Sequence, residues 1–326
     1  MPPSPTPSPI KPPALSRGDK VGIVAPASNI KSEQLKTGCE RLRQMGYEPF
    51  YFENVVEQDL YFAGSVDRRL NELHEMFARD EIRAILCARG GYGCNYLLPG
   101  LDLDLIRRRP KLLVGYSDNT ALLTWIHDAT GLITCHGPML AKDFAVANGI
   151  DEAAWNAVTT GIGNWELASY ACFGFSPLLA GHAEGKLYGG CLSILVASLG
   201  TPFEIQTDGT LLFLEDVNAK PYQIDRMLMQ LKLAGKLRGV RGIIFGEMMD
   251  CVQAPEQPYT LQEIVRRIVS DLGVPVAYGL RSGHVSRENI TLPLGVHASL
   301  AVTQESVRLD ITESATLRAA ATIHSA

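Results

Sequence analysis

Apolar residues along the first 145 positions switch between unbroken runs and helical spacing. Val66, Leu70, Leu73 and Phe77 recur at intervals of three or four residues, which predicts a helix over 66–79. The same analysis predicts strands at 20–28, 83–88, 112–114 and 132–135, and further helices at 32–45 and 118–129. Strands that alternate with helices in this way build a parallel sheet covered by helices on both faces.

The rhythm changes over residues 145–183, where Gly161, Gly163 and Gly174 interrupt short apolar stretches. We interpret this segment as a connector to a second α/β region. The pattern there predicts strands at 210–214, 240–245 and 274–280, short strands within 289–313, and helices at 192–199, 221–234 and 261–272. The expected organisation is a proline-rich tail over 1–14, a first domain over 15–145, a connector over 146–183 and a second domain over 184–326.

Composition limits the classes of protein and partner. The chain of 326 residues is 46% hydrophobic and 20% charged, which is the balance of a soluble globular protein with room for two domains. Its net charge of −5 argues against a nucleic-acid partner, because such proteins usually carry a basic excess. No apolar run approaches the ~18 residues that a membrane helix needs, so we expect no membrane partner.

The N-terminus and the cysteines indicate a cellular compartment. The first thirteen residues contain seven prolines and no apolar core, which predicts a disordered, mobile tail rather than a secretory signal. Seven cysteines without a Cys-x-x-Cys pair are typical of reduced thiols. These features favour a cytoplasmic location and argue against a structural zinc site.

The segment Gly115–Thr120 has the pattern of a nucleophile elbow, in which a strand stops at a glycine and a helix follows at once. Ser117 lies at the turn, so its hydroxyl is held at the end of a strand. The N–H of Asp118, at the start of the helix, could bind an oxyanion that forms beside Ser117. The Gly-Gly-Tyr-Gly turn after the strand 83–88 could supply a second N–H, at Gly91.

A serine nucleophile needs a base and an acid that orients the base. Among seven histidines, position favours His284, in a glycine-flanked loop after the strand 274–280, and next His136, which follows the strand 132–135. Both Glu215 and Asp216 end the apolar run 211–214, where a carboxylate could fix the imidazole tautomer. The pattern alone leaves both pairs of alternatives open.

Ordered motifs give the chain a resemblance to the LD-carboxypeptidase family of serine peptidases. Each motif is modest alone, but their order along residues 18–284 is specific. The motifs are Gly18–Ser28, Arg89–Gly93, Gly115–Thr120, Gly189–Ser193 with Gly200–Pro202, Leu214–Asp216 and Gly283–His284.

The resemblance implies a catalytic triad of Ser117, Glu215 and His284. It implies a Rossmann-like N-terminal domain that bears the serine, a smaller C-terminal α/β domain that bears the other two residues, and a site in the cleft between them. The implied reaction releases a terminal D-alanine from a small murein peptide in cytoplasmic cell-wall recycling. No metal or organic cofactor is needed, and we expect a homodimer. One departure is Cys191, which stands where the family usually has asparagine.

Three alternatives remain. A microcin-immunity peptidase would use the same triad on peptidyl or aminoacyl nucleotides. A glutamine amidotransferase-like enzyme would use the thiol of Cys87 or Cys94, although packing explains most such cysteines. A non-catalytic binding protein on the same fold is disfavoured by the intact serine, glutamate and histidine.

Overall fold

A computed structural model describes residues 7–168, 174–252 and 256–318. The strands in this part of the chain are β1 Lys20–Val24, β2 Glu48–Phe50, β3 Ile82–Cys87, β4 Leu112–Gly115, β5 Thr134–His136, β6 Trp165–Ala168, β7 Ser176–Leu179, β8 Gly181–Cys191, β9 Thr210–Glu215, β10 Gly242–Gly246, β11 Val276–Leu280, β12 Leu292–Leu294, β13 His297–Val302 and β14 Val307–Ile311. The helices are α1 Ser32–Gln44, α2 Val66–Ala78, α3 Leu103–Arg108, α4 Thr120–Thr130, α5 Glu152–Thr159, α6 Leu192–Ala197, α7 Pro221–Leu233 and α8 Leu261–Val269.

The N-terminal half forms a six-stranded sheet in the order β12-β5-β4-β3-β1-β2. All neighbouring strands are parallel except β12, which pairs antiparallel with β5. The carboxyl ends of the parallel strands therefore share one edge, where the loops after β1, β3 and β4 meet. The predicted α/β class with a parallel first sheet is confirmed.

The C-terminal half forms an eight-stranded sheet in the order β6-β14-β13-β8-β9-β10-β11-β7. Strands β8 to β11 are parallel neighbours, and the outer strands pair antiparallel. Both edge strands, β6 and β7, come from the segment predicted as a connector. Each has only four residues, which is too short for a clear alternation of apolar and polar positions. β7 also contains Pro177, which a strand at the edge of a sheet tolerates.

Part of the predicted mobile tail is paired with the rest of the chain. Ile10 donates its N–H to Gly131 at 2.8 Å, and Ala14 donates to Leu317 at 2.7 Å. The prolines of this segment lack an N–H, but the residues between them keep theirs and use them. Residues 10–15 therefore follow the folded surface instead of forming the disordered segment that their composition predicts.

A strand pairing and several hydrogen bonds connect the N-terminal and C-terminal halves. β12 belongs to the C-terminal part of the sequence but extends the first sheet. The Tyr188 hydroxyl on β8 donates to Asp128 on α4 at 2.6 Å, and the Cys191 N–H donates to the Thr120 hydroxyl at 3.1 Å. These bonds place the carboxyl end of β8 against the start of α4.

A buried acid near this junction makes stability depend on pH. Burial raises the pKa of Asp143 to about 6, although the Met139 N–H donates to its carboxylate at 2.8 Å. The folded protein therefore holds this proton more tightly than the unfolded chain does. The stabilisation is fully present below the unfolded pKa of about 4 and is lost as the pH rises through about 6.

We expect the Asp143→Asn substitution to remove this dependence. The free energy of unfolding of the native protein, relative to the variant, should fall by up to about 3 kcal/mol between pH ~4 and ~7. Urea unfolding of both proteins across this range measures the difference. A difference that stays constant would contradict a protonated Asp143 in the fold.

Candidate active site

Ser117 lies at a strained turn between β4 and α4. Its φ of 62° is in the left-handed region, which a non-glycine residue adopts only where the surrounding structure enforces it. Burial of β4 and of Tyr116 holds the chain on one side, and the start of α4 holds it on the other. The strain fits an elbow that projects the serine hydroxyl from the sheet edge.

Glu215 and His284 form a direct hydrogen-bonded pair. Glu215 ends β9 and is fully buried, whereas His284 follows β11 in a loop and keeps 9% of its surface exposed. The His284 Nδ1 lies 2.8 Å from Glu215 Oε2, and the His284 backbone N–H donates to the same oxygen at 3.0 Å. With Nδ1 donating to the carboxylate, Nε2 is left as the basic nitrogen.

Electrostatics keep Glu215 charged in spite of its burial. Burial alone raises the pKa of a carboxyl group, but the nearby His284 charge and the two His284 hydrogen bonds outweigh that effect, with a further contribution from His136. The net result is a Glu215 pKa below its usual value. A carboxylate of this kind can hold an imidazole in one tautomer and stabilise the imidazolium.

The serine and the Glu–His pair approach each other across the junction of the two halves. The Tyr116 ring, next to Ser117, packs edge-on against the His284 ring with 5.1 Å between centroids. A Cβ added to Gly90 would lie 2.9 Å from the Ser117 hydroxyl, so only glycine fits beside this side chain. The structure thus brings Tyr116, the residue before Ser117, against the Glu215–His284 pair, although these residues lie far apart in sequence.

The proposed N–H donors belong to Asp118, directly after Ser117, and to the Gly-Gly-Tyr-Gly turn, whose Gly90 lies against the Ser117 side chain. Neither Gly91 nor Asp118 donates its backbone N–H to another residue within the described segments. The Asp118 side chain is engaged elsewhere, because its carboxylate accepts the Cys94 N–H at 2.8 Å. Burial raises the pKa of Asp118 in spite of that bond. Asp118 thus anchors the Gly-Gly-Tyr-Gly turn to the elbow.

His136, the second candidate for the base, lies on the other oxygen of Glu215. It is fully buried, and its Nε2 is 4.0 Å from Glu215 Oε1. Burial lowers the pKa of His136 to about 4, although Glu215 opposes the shift, so its ring is neutral. His284 binds the carboxylate directly, and His136 packs beside it.

Asp216, the second candidate for the orienting acid, has a structural contact pattern. One of its carboxylate oxygens accepts the Ser193 N–H at 2.8 Å and the other accepts the Val217 N–H at 2.8 Å. Ser193 lies in the first turn of α6, so Asp216 caps that helix. Asp216 lies just past the end of β9 and both its oxygens accept backbone N–H groups, whereas Glu215 binds His284.

Asn289 is a positioning residue that the sequence does not single out. It is fully buried, its side-chain oxygen accepts the Gly283 N–H at 3.0 Å and its amide donates to the Gly283 carbonyl at 3.0 Å. This pair of bonds fixes the backbone directly before His284. An isolated asparagine in a loop has no periodicity, so no sequence pattern marks it.

Aromatic side chains form a wall beside the Gly-Gly-Tyr-Gly turn. Tyr61, Tyr92 and Tyr96 are exposed and pack with Phe62 at centroid distances of 4.3 to 6.0 Å. The Tyr92 N–H donates to the Ser28 hydroxyl at 3.1 Å, which ties this wall to the loop after β1. The wall exposes aromatic faces next to the turn that carries Gly90, which lies against Ser117.

One cluster of the described residues has the ligand types of a metal site. Candidate ligand atoms of Cys191, Glu215 and His284 lie within 4.8 Å of one another. Two of these residues belong to the hydrogen-bonded pair, so the chemistry of the pair does not need a metal there.

Comparison with known proteins gives two consecutive family matches. The model of the LD-carboxypeptidase N-terminal domain matches residues 21–137, and that of the LD-carboxypeptidase C-terminal domain matches residues 184–300. The elbow lies in the first match, and the Glu–His pair lies in the second.

Individual relatives match nearly end to end. The chain is 40% identical to the probable murein peptide carboxypeptidase of Bacillus subtilis, over 92% of this chain and 94% of that protein. It is 33% identical to the murein tetrapeptide carboxypeptidase of Pseudomonas aeruginosa, over 86% of this chain and 92% of that protein. A structure of the microcin C7 self-immunity protein MccF, found in Escherichia coli, superposes with a TM-score of 0.85 at 25% identity, over 95% of this chain and 100% of that one.

The role of Asn289 can be tested through the reactivity of Ser117. We expect Asn289→Ala to slow labelling of Ser117 by a fluorophosphonate probe roughly 100-fold, because a misplaced base loses its alignment with the hydroxyl. Exposed Asn156 on α5 provides the matched control, Asn156→Ala. Normal labelling of a folded Asn289→Ala protein would show that the loop holds His284 without this side chain.

Proposed function

The chain belongs to the LD-carboxypeptidase family, and we propose that it is a serine carboxypeptidase that removes the terminal D-alanine from a murein tetrapeptide. The bond cleaved joins an L-configured centre to the D-residue. The observation that carries the proposal is the buried Glu215–His284 hydrogen bond of 2.8 Å beside the strained Ser117 elbow. Relatives named as murein peptide carboxypeptidases match this chain over 86–92% of its length.

The mechanism follows from the arrangement of these groups. His284 Nε2 takes the proton from the Ser117 hydroxyl as the oxygen attacks the substrate carbonyl. Glu215 holds the ring through Nδ1 and stabilises the imidazolium that forms. The imidazolium then protonates the leaving amine of D-alanine, and water, activated by the same histidine, hydrolyses the acyl-enzyme.

Oxyanion stabilisation is assigned to backbone N–H groups. Asp118 directly follows Ser117, and Gly91 follows Gly90, which lies against the Ser117 side chain. Neither the Asp118 nor the Gly91 N–H donates to another described residue. Donors aimed at the developing charge contribute roughly 3–4 kcal/mol each in mutational studies of other serine enzymes. Glycine at position 90 admits the substrate carbonyl close to this backbone.

The alternatives have unequal support. The resemblance to MccF, with a TM-score of 0.85, supports a peptidase acting on peptidyl or aminoacyl nucleotides as the second candidate. The thiol alternative is disfavoured, since Cys87 and Cys94 are buried at 1% and 0% exposure. Burial raises the pKa of both thiols and so opposes thiolate formation.

The cellular setting is part of the proposal. We propose that the protein works in the cytoplasm as a homodimer, on a small peptide and without nucleic acid or membrane. The six cysteines among the described residues are free thiols, as expected in a reducing compartment. Within the described residues, no helix is long and apolar enough to cross a membrane.

Release of D-alanine tests the activity and its nucleophile together. The native protein should release D-alanine from a murein tetrapeptide, and Ser117→Ala should abolish release while leaving the fold intact, because the nucleophile makes the covalent bond. An aminoacyl sulfamoyl nucleotide offered in parallel tests the second candidate. Turnover of more than a few per cent in Ser117→Ala would exclude Ser117 as the nucleophile.

The two adjacent acids make a matched pair of variants. Glu215→Gln should lower kcat by about 10⁴-fold, as in other triads whose orienting acid is replaced. Asp216→Asn should lower stability more than kcat, because Asp216 caps α6. The comparison measures kcat and urea unfolding for both. An active Glu215→Gln beside an inactive, folded Asp216→Asn would reverse the assignment.

A further inference from the structure

We propose that Cys191, Glu215 and His284 form a binding site for Zn²⁺, and that zinc bound there inhibits the enzyme reversibly. The binding stands on the geometry of these three side chains alone. The inhibition rests on the proposed function, because it requires Glu215 and His284 to act in catalysis. Zinc is here a regulator, and the proposed hydrolysis needs no metal.

The sheet register places the first two ligands side by side. Cys191 ends β8, Glu215 ends the parallel neighbour β9, and the two residues are direct partners in the ladder. Side chains of paired residues in neighbouring strands point to the same face of the sheet. His284 reaches that face from the loop after β11 and is already hydrogen bonded to Glu215.

The distances suit a zinc ion after a small contraction. Ligand atoms of the three residues lie within 4.8 Å of one another. Zinc–ligand bonds of about 2.0–2.3 Å in tetrahedral geometry need ligand atoms roughly 3.5 Å apart. The required shift of about 1 Å is within reach of one χ1 adjustment at Cys191 and of the loop that carries His284.

The three side chains are ligands that suit zinc better than they suit hard cations such as magnesium. Thiolate, imidazole and carboxylate are all zinc ligands, and three protein ligands leave a fourth position for water or the Ser117 oxygen. Magnesium prefers oxygen ligands in octahedral geometry and retains its water. The site should therefore distinguish zinc from magnesium.

Unused bonding capacity at the site supports a ligand. Glu215 Oε1 is buried and has no hydrogen-bond partner among the described residues. The Cys191 thiol lies 3.4 Å from the Ser193 hydroxyl and 4.0 Å from Asp216 Oδ2, contacts that a zinc ion could replace. A dication at this point would lie close to the carboxylates of Glu215 and Asp216, which favours binding.

Zinc binding also has a cost, since the thiol must lose its proton. Burial, and after it the charges of Glu215 and Asp216, raise the pKa of the Cys191 thiol. The zinc–sulfur bond replaces the S–H bond, the proton leaves to solvent, and no electron is transferred. The metal therefore competes with a proton, and a chelator can reverse the binding.

Occupation of the site would stop the proposed reaction. His284 cannot both donate a lone pair to zinc and accept the proton of Ser117. Glu215 would exchange its hydrogen bond to the ring for a bond to the metal. The resemblance places asparagine at position 191, and an amide has no thiolate, so the zinc site is expected of this chain's cysteine rather than of the motif.

Direct binding and enzyme activity are measured separately on the metal-free protein. Competition with a chromophoric zinc chelator should give one tight site per chain, and Co²⁺ should produce a sulfur-to-cobalt charge-transfer band. Cys191→Ser should lose the band and weaken zinc binding by more than about tenfold, because even the loss of an outer hydrogen bond costs zinc sites about 10–100-fold. Buried Cys39 on α1 supplies the matched control, and Cys39→Ala should bind like the native protein.

The activity arm then asks whether the bound metal inhibits. Stoichiometric zinc should suppress D-alanine release by the native protein and by Cys39→Ala, magnesium should not, and a chelator should restore the rate. Cys191→Asn provides a second variant if Cys191→Ser does not fold. Undiminished zinc binding by a folded Cys191 variant would overturn the site. Tight binding through Cys191 without inhibition would overturn the regulation, and an enzyme inactive on murein peptides would refute the proposed function while leaving the binding result standing.

Discussion

The structure depends on one buried charge, the carboxylate of Glu215. A charge removed from water in this way is costly unless it is paired and hydrogen bonded. His284 supplies two hydrogen bonds to the carboxylate, one from its ring Nδ1 and one from its backbone N–H. The approach is so close that a Cβ on Gly283 would lie 2.6 Å from the Glu215 carboxyl carbon, which explains the glycine directly before the histidine. The requirement to pair Glu215 thus fixes where the His284 loop can run.

The same constraint ties the two sheets together. Glu215 and His284 come from the second sheet and Ser117 follows β4 of the first, so the proposed triad requires both sheets to be assembled. A hydrogen bond also crosses the junction between the two halves, since the Thr120 hydroxyl at the start of α4 accepts the Cys191 N–H. β12 crosses back to extend the first sheet, which makes separation of the halves costly in backbone hydrogen bonds. We infer that a rigid junction between the two sheets keeps Ser117 aligned with Glu215 and His284.

Sequence patterns predicted the features that local physics determines. The parallel first sheet and the Ser117 turn follow from apolar runs, glycine positions and helix starts, all of which are local. The resemblance to a family selected Glu215 over Asp216 and His284 over His136, which periodicity alone could not do. The edge strands β6 and β7 depend on partners distant in sequence. Asn289 binds nearby Gly283, but a single asparagine in a loop forms no periodic pattern that would mark it. The pairing of residues 10–15 was missed for the same reason as the edge strands, because the partners of Ile10 and Ala14 lie more than a hundred residues away.

At position 191 the backbone and the side chain have separate tasks. The backbone at Cys191 serves the junction through its N–H, which any residue except proline could provide. The Cys191 side chain points to the same face of the sheet as Glu215. The residue type at position 191 therefore decides whether a metal ion can bind beside Glu215 and His284. An amide could only exchange hydrogen bonds with its neighbours, whereas a thiol is a zinc ligand type and lies beside the proposed catalytic groups Glu215 and His284. Cysteine in place of asparagine at this position can therefore add the proposed zinc site while the backbone keeps its hydrogen bond to Thr120.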